Sequence, residues 1–182
     1  MDFLYLWLSG RVRREDGTFC PEFDHMVLLA HLNKDYVVDI GFGDSVRSPL
    51  PLSGEMVTDV TDAYRITRAS TSNLLFFQKR IDGDWISEYM FTLQPRSLQD
   101  FHEMNVFQQT SPDFHFTHNL ICSIATPTGR LTMSGDWMIE SIGTEKTRRR
   151  IASNAERREL LKRHLGIDLN RRVSEVGESL HG

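Results

Sequence analysis

Residues 24–43 read DHMVLLAHLNKDYVVDIGFG. Two apolar runs flank the polar Asn33-Lys34, the pattern of an antiparallel hairpin. His25 opens the first run and Asp39 closes the second. An imidazole held by a carboxylate is a standard device for moving a proton or activating a nucleophile. Whether the two meet depends on the loop. A two-residue loop, Asn33-Lys34, sets Asp39 opposite Leu28 and turns His25 to the other face. A three-residue loop, Leu32-Asn33-Lys34, sets Asp39 opposite Val27. His25 is then a diagonal neighbour on the same face, about 7–8 Å away at Cα. The residues leave both registers open. They also leave open a plainer reading, in which Asp39 caps a strand end and His25 is a structural group.

Outward from the hairpin, strands dominate the first half. FLYLWLSGRV (3–12) precedes it. SPLPL (48–52) follows, and Pro49 and Pro51 bar that segment from a central position. AYRITRA (63–69) is a further strand. NLLFFQKRI and WISEYMFTL flank Asp82-Gly83-Asp84, a strong hairpin signal. The period then changes. Leu98, Phe101, Met104 and Phe107 recur at helical spacing behind Ser97 as N-cap. Three short strands follow, NLICSIAT, RLTMS and DWMIESI. The last helix starts at the capping box Ser153/Glu156, buries Leu160, Leu161 and Leu165, and stops at Gly166. IDL (167–169) is expected to dock, and the polar tail from Asn170 to fray.

The chain has 182 residues and a formal net charge of −4. That leaves no whole-chain basic field, so nucleic acid is not expected as the main partner. Cys20 and Cys122 are too few for a disulfide framework. No apolar run approaches the ~20 residues that span a bilayer. The protein is read as cytoplasmic, with no membrane partner. His115 and His118 lack a third ligand, so no metal site is expected. The basic run KTRRR (146–150) reads as a solvated face, or else as a patch attracting phosphates.

The stretch HMVLLAHLNKDYVVDIGFG…PLPL closely resembles the arylamine N-acetyltransferases. LSGRV, YMFTLQPRSLQDFHEMNVFQQTSP and NLICSIATPTGRLTMSG resemble further blocks of that family in the same order, over roughly residues 3 to 169. The resemblance implies an α+β, mainly β fold: an antiparallel β-barrel-like domain followed by a small α/β lid. It places the β domain at 1–93, a connecting helix at 94–110 and the lid with its terminal helix at 111–182. It also implies acetyl transfer from acetyl-CoA to an arylamine, hydrazine or N-hydroxyarylamine through a Cys-His-Asp triad. His25 and Asp39 are two of the three members. Phe42 lines the acceptor pocket, and Gly43, Phe107 and the loop holding Ser111 border the CoA. No permanently bound cofactor is implied.

One family feature has no match. The nucleophile belongs to an Arg-Gly-Gly-x-Cys segment ahead of the LSGRV block, and the 182 residues contain none. Cys20 lies in a loop before His25, and Cys122 reads as a small buried residue. The expectation is a member without the family's N-terminal helical domain. Its apolar residues 3–8 would seek that domain or a second copy. The alternative is a non-catalytic truncated remnant, or a module that binds CoA or an aromatic ligand.

Overall fold

The computed structural model describes residues 4–43, 45–60, 62–143 and 145–169. They fall into two compact units, Met1–His118 and Asn119–Gly182. Eight strands build the first: β1 (Leu4–Val12), β2 (His25–His31), β3 (Asp35–Val38), β4 (Leu50–Pro51), β5 (Val57–Thr58), β6 (Ala63–Arg68), β7 (Leu75–Ile81) and β8 (Asp84–Phe91). They form one sheet in the order β4-β3-β2-β1-β8-β7-β6-β5. Near its two ends β4 comes against β6, so the sheet rolls into a nearly closed, antiparallel barrel-like form. Inward residues alternate with outward ones. Leu8, Val27, Leu29, Val37, Tyr64, Phe77, Tyr89 and Phe91 fill the interior.

Local chemistry sets the turns. Asp82 and Gly83 join β7 to β8 with φ of 51° and 94°, the pair of left-handed residues that a tight hairpin needs. Pro51 falls in β4 at the sheet edge, where a missing N–H leaves no ladder bond unmade. His31 pairs with Asp35, so the β2–β3 loop has three residues, Leu32 to Lys34.

β1 carries the apolar residues 4–8. It pairs with β2 from Leu4 to Gly10 and with β8 from Gly10 to Val12. Leu8 is fully buried, while Leu4 (64%) and Tyr5 (54%) stay exposed. Phe3 lies outside the described residues.

A 3-10 turn (Leu98–Phe101) leads into α1 (His102–Thr110). The expected apolar stripe is only partly buried. Phe101 is covered, but Leu98 and Phe107 are 59% and 45% exposed. Three residues per turn in the 3-10 segment, against 3.6 in α1, rotate Leu98 off the stripe. α1 is also tied by a polar contact to the residue ahead of β2: Gln108 Nε2 donates to the Asp24 carbonyl at 2.7 Å.

The second unit holds β9 (Ile121–Thr126), β10 (Gly129–Ser134), β11 (Trp137–Ile142), β12 (Glu145–Arg150) and α2 (Asn154–Leu165). The sequence predicted three strands here; β12 is the fourth. It pairs along β11 and every residue in it is exposed. It has no apolar alternation to announce it, and its charges suit an edge that accepts no further partner. The N-cap Ser153 Oγ accepts from the Glu156 N–H at 3.2 Å, and Gly166 ends α2 with φ of 70°. Leu160 and Leu161 pack on Met133 and Met138, beside Cys122. A Cβ on Gly129 would lie 1.8 Å from the Ser141 carbonyl oxygen, so this turn admits only glycine. The IDL segment is held to α2 by polar ties, the Ile167 N–H to the Leu161 carbonyl at 3.1 Å and Asp168 to Lys162 at 2.8 Å, while Ile167 and Leu169 stay 37% and 60% exposed. The tail from Asn170 lies outside the described residues. No described helix is long and apolar enough to cross a membrane.

Candidate active site

His25 stands at the start of β2, opposite Gly10 of β1. A Cβ on Gly10 would sit 3.4 Å from both Cβ and Cδ2 of His25 and 3.2 Å from Val27, so the glycine makes room for the imidazole. The three-residue loop is the register that puts His25 and Asp39 on one face. Beyond the last ladder pair, Leu28 with Val38, the chain swings Asp39 inward. His25 Nε2 lies 2.7 Å from Asp39 Oδ2, and the side chains are 14% and 2% exposed.

Asp39 is held from both oxygens. Oδ1 accepts the N–H of Gly41 at 3.1 Å and of Phe42 at 3.2 Å. These bonds fold the DIGFG segment around the carboxylate as an Asx-type turn. Buried carboxylates are costly unless their lone pairs are engaged, and here three donors engage them. With Nε2 committed to Asp39, Nδ1 is the ring nitrogen left for chemistry. It has no partner among the described residues.

Aromatic rings wall the pair. Phe42 lies edge-on to His25 at 5.3 Å, and the Tyr89 ring is also 5.3 Å from it. Tyr89 stacks on Phe77 at 4.7 Å. Its hydroxyl is buried and makes no hydrogen bond of ordinary geometry. Burial first, and then the facing Asp39 carboxylate, push this phenol well above its usual value. Tyr89 therefore stays protonated at neutral pH.

Of the residues singled out in the sequence, His25, Asp39 and Phe42 are brought together. Gly43 follows in the same loop, exposed and left-handed at φ 56°. Phe107 and Ser111 sit together at the end of α1, where the Ser111 N–H donates to the Phe107 carbonyl at 2.8 Å. Neither makes a hydrogen bond or ring contact with His25 or Asp39. The Cys20 thiol is pushed up by burial, then by the Asp24 charge, against a smaller opposing pull from Arg14. A thiol held protonated is a poor nucleophile. Cys122 packs at the core of the second unit. Among the described residues no three His, Cys, Asp or Glu side chains gather as a metal site. In the basic run, Arg148 lies over the Trp137 ring at 4.9 Å and Arg149 pairs with Glu156 at 2.6 Å.

Sequence reasoning missed Tyr89, Gly10 and a cleft of about 620 Å³ between the start of β2 and α1. The alternation of β8 marks Tyr89 as inward, but nothing in it names Asp39 as its neighbour.

The chain belongs to the N-acetyltransferase family, the arylamine N-acetyltransferases among them: the family model matches residues 1–174. Mouse arylamine N-acetyltransferase 2 is 35% identical over 122 residues, covering 57% of this chain and 42% of that protein. The arylamine N-acetyltransferase of M. smegmatis superposes with a TM-score of 0.82 at 27% identity, over 92% of this chain and 63% of that one. The Mycobacterium marinum enzyme in complex with CoA shares the fold, with a TM-score of 0.82 at 22% identity, over 92% of this chain and 64% of that one. The chain thus spans between two fifths and two thirds of the length of these relatives.

Proposed function

We propose that this chain supplies the proton-handling part of an acetyltransferase site, with acetyl-CoA as donor and an arylamine, hydrazine or N-hydroxyarylamine as acceptor. The observation that carries this is the buried 2.7 Å contact between His25 Nε2 and Asp39, which leaves Nδ1 to accept a proton. Family membership supports the reaction class. In this reading a thiolate from outside these 182 residues attacks the thioester carbonyl of acetyl-CoA and expels the CoA thiolate. His25 takes the thiol proton beforehand, and the imidazolium so formed lowers the cysteine pKa. The imidazolium gives that proton to the departing CoA thiolate, so His25 is neutral again when the amine attacks the acyl-cysteine; it takes the amine proton as the cysteine thiolate leaves. Asp39 fixes the tautomer and stabilises the imidazolium. Phe42 walls the acceptor beside the ring. Gly43, Phe107 and Ser111 border CoA, a role that rests on resemblance.

The test is complementation. The purified chain is mixed with a segment bearing the Arg-Gly-Gly-x-Cys motif from a relative, and given radiolabelled acetyl-CoA and an aniline acceptor. Acetyl-cysteine on the added segment and turnover that His25→Ala abolishes are the expected results. An acetyl adduct on Cys20 of this chain, or turnover indifferent to His25, overturns the reading.

A further inference from the structure

We propose that the cleft between β2 and α1 binds the acceptor, and that Asp24 selects rings carrying a cationic or N–H-rich group over rings carrying a carboxylate. This rests on the acetyltransferase reading above and narrows its substrate class.

The cleft has a volume of about 620 Å³ and opens onto His25, a size that fits a small ring compound. Phe23, Met26, Leu98 and Phe101 give it apolar walls. Phe23 meets Phe101 edge-on at 5.3 Å, so a planar ligand finds an aromatic face there.

Among the polar groups of the cleft, Asp24 is the one carboxylate; the lining also holds His25 and His102, and no lysine or arginine. Asp24 makes no ion pair among the described residues; its carboxylate faces the Cys20 thiol as a hydrogen-bond partner. Its carbonyl accepts the Gln108 amide at 2.7 Å, while the same amide is 3.4 Å from the carboxylate. Arg96, the cation over the Phe23 ring, is committed to Glu22 at 2.6 Å. A half-buried, unneutralised carboxylate attracts a cation or N–H donor and repels an anion.

The backbone holds this arrangement under strain. Phe23 has φ of 68°, a left-handed conformation that an aromatic residue rarely adopts. It persists because the buried Ser9 Oγ accepts the Phe23 N–H at 2.7 Å and the Phe101 contact anchors the ring. Strain of this kind is kept where the surroundings over-determine it, and it clusters at ligand sites. Here it turns Phe23 and Asp24 together toward α1, directly ahead of His25.

The test titrates benzamidine and benzoate separately into the purified 182-residue chain at pH 8, following the NMR signals of Phe23, Phe101 and the Gln108 side-chain amide. Benzamidine is expected to bind about tenfold more tightly than benzoate. Asp24→Asn is expected to erase that preference, and Asp35→Asn, an exposed carboxylate elsewhere on the hairpin, to preserve it. Equal binding of the two probes, no binding of either, signals that move only elsewhere, or a preference that survives Asp24→Asn overturns the proposal. The complementation assay separates the two readings. Turnover with equal rates for cationic and anionic acceptors sinks the selectivity and spares the reaction. Cation binding in the cleft without any turnover does the reverse.

Discussion

The β2–β3 hairpin carries a His–Asp pair at each end, and the two are nearly identical in distance. His25 and Asp39 are 2.7 Å apart; His31 and Asp35 are 2.6 Å apart. Their surroundings differ. The first pair is 14% and 2% exposed, the second 31% and 46%. Asp39 has two backbone N–H donors besides the imidazole; Asp35 meets solvent. Two unit charges at 4 Å attract by about 1 kcal/mol in bulk water and several-fold more in a protein's effective dielectric. Separation alone therefore says little. Burial and the number of engaged lone pairs distinguish a built site from a surface contact.

The sharpest way to break this comparison is to remove the buried acceptor. Asp39→Ala strands three donors at once: the His25 ring and the Gly41 and Phe42 amides. Truncating one member of a buried, hydrogen-bonded pair costs about 3–5 kcal/mol. Urea unfolding of the 182-residue chain should show a loss in that range. A loss under about 1 kcal/mol would mean that the buried pair behaves like the exposed one.

Gly10→Ala attacks the same pair from the neighbouring strand. The new methyl would crowd the Val27 side chain at 3.2 Å and the imidazole at 3.4 Å. Overpacking of this order costs about 1–3 kcal/mol. The expected signature is a displaced His25 ring, read as a shift or loss of its Nε2 proton signal. An unmoved ring with unchanged stability would show that the glycine is incidental.

Much of this was legible in the sequence, and the parts that were not share a cause. Asp82-Gly83, Pro51 and the Ser153/Glu156/Gly166 frame act through local backbone chemistry, so they could be read from neighbours in the chain. The His25–Asp39 register needed one further fact, the length of a loop that polar residues bound only loosely. Leu98 falls off the apolar stripe because a 3-10 turn changes the period without changing composition. β12 was missed because an all-exposed edge strand has no apolar rhythm. Tyr89 against Asp39, and Phe23 against Phe101, join residues about 50 and 80 positions apart, and only the folded sheet brings them together.

Tyr89 offers a finer test, because its phenol reports the Asp39 charge. Its pKa lies well above the ordinary 10.0 in the folded chain. Above pH 10 the unfolded chain loses this proton while the folded chain keeps it. Its stability contribution is therefore full below pH 10 and lost as pH rises, at up to about 1.4 kcal/mol per pH unit. Tyr89→Phe should remove that part of the alkaline slope. At neutral pH the change in stability should be small, within about 1 kcal/mol, since the variant deletes a buried hydroxyl whose facing group is the Asp39 carboxylate. Identical slopes for the two proteins between pH 10 and 11 would show that Tyr89 titrates like an exposed phenol.

The smallest expected effect lies at the far end of the hairpin. Asp35→Ala removes a carboxylate 2.6 Å from His31, yet the site is wet and the loop holds its shape without it. The Leu32 N–H still donates to the Lys34 carbonyl at 3.0 Å. Exposed pairs contribute about 0–1 kcal/mol, and the Debye length shrinks to about 3 Å at 1 M salt. Urea unfolding of wild type and Asp35→Ala should therefore differ by no more than about 1 kcal/mol at low salt, and the difference should close in 1 M NaCl. The same salt should leave the Asp39→Ala deficit in place, because the Asp39 carboxylate and the His25 ring are buried together. If salt erased both differences, or neither, burial would not be what separates the two ends of this hairpin.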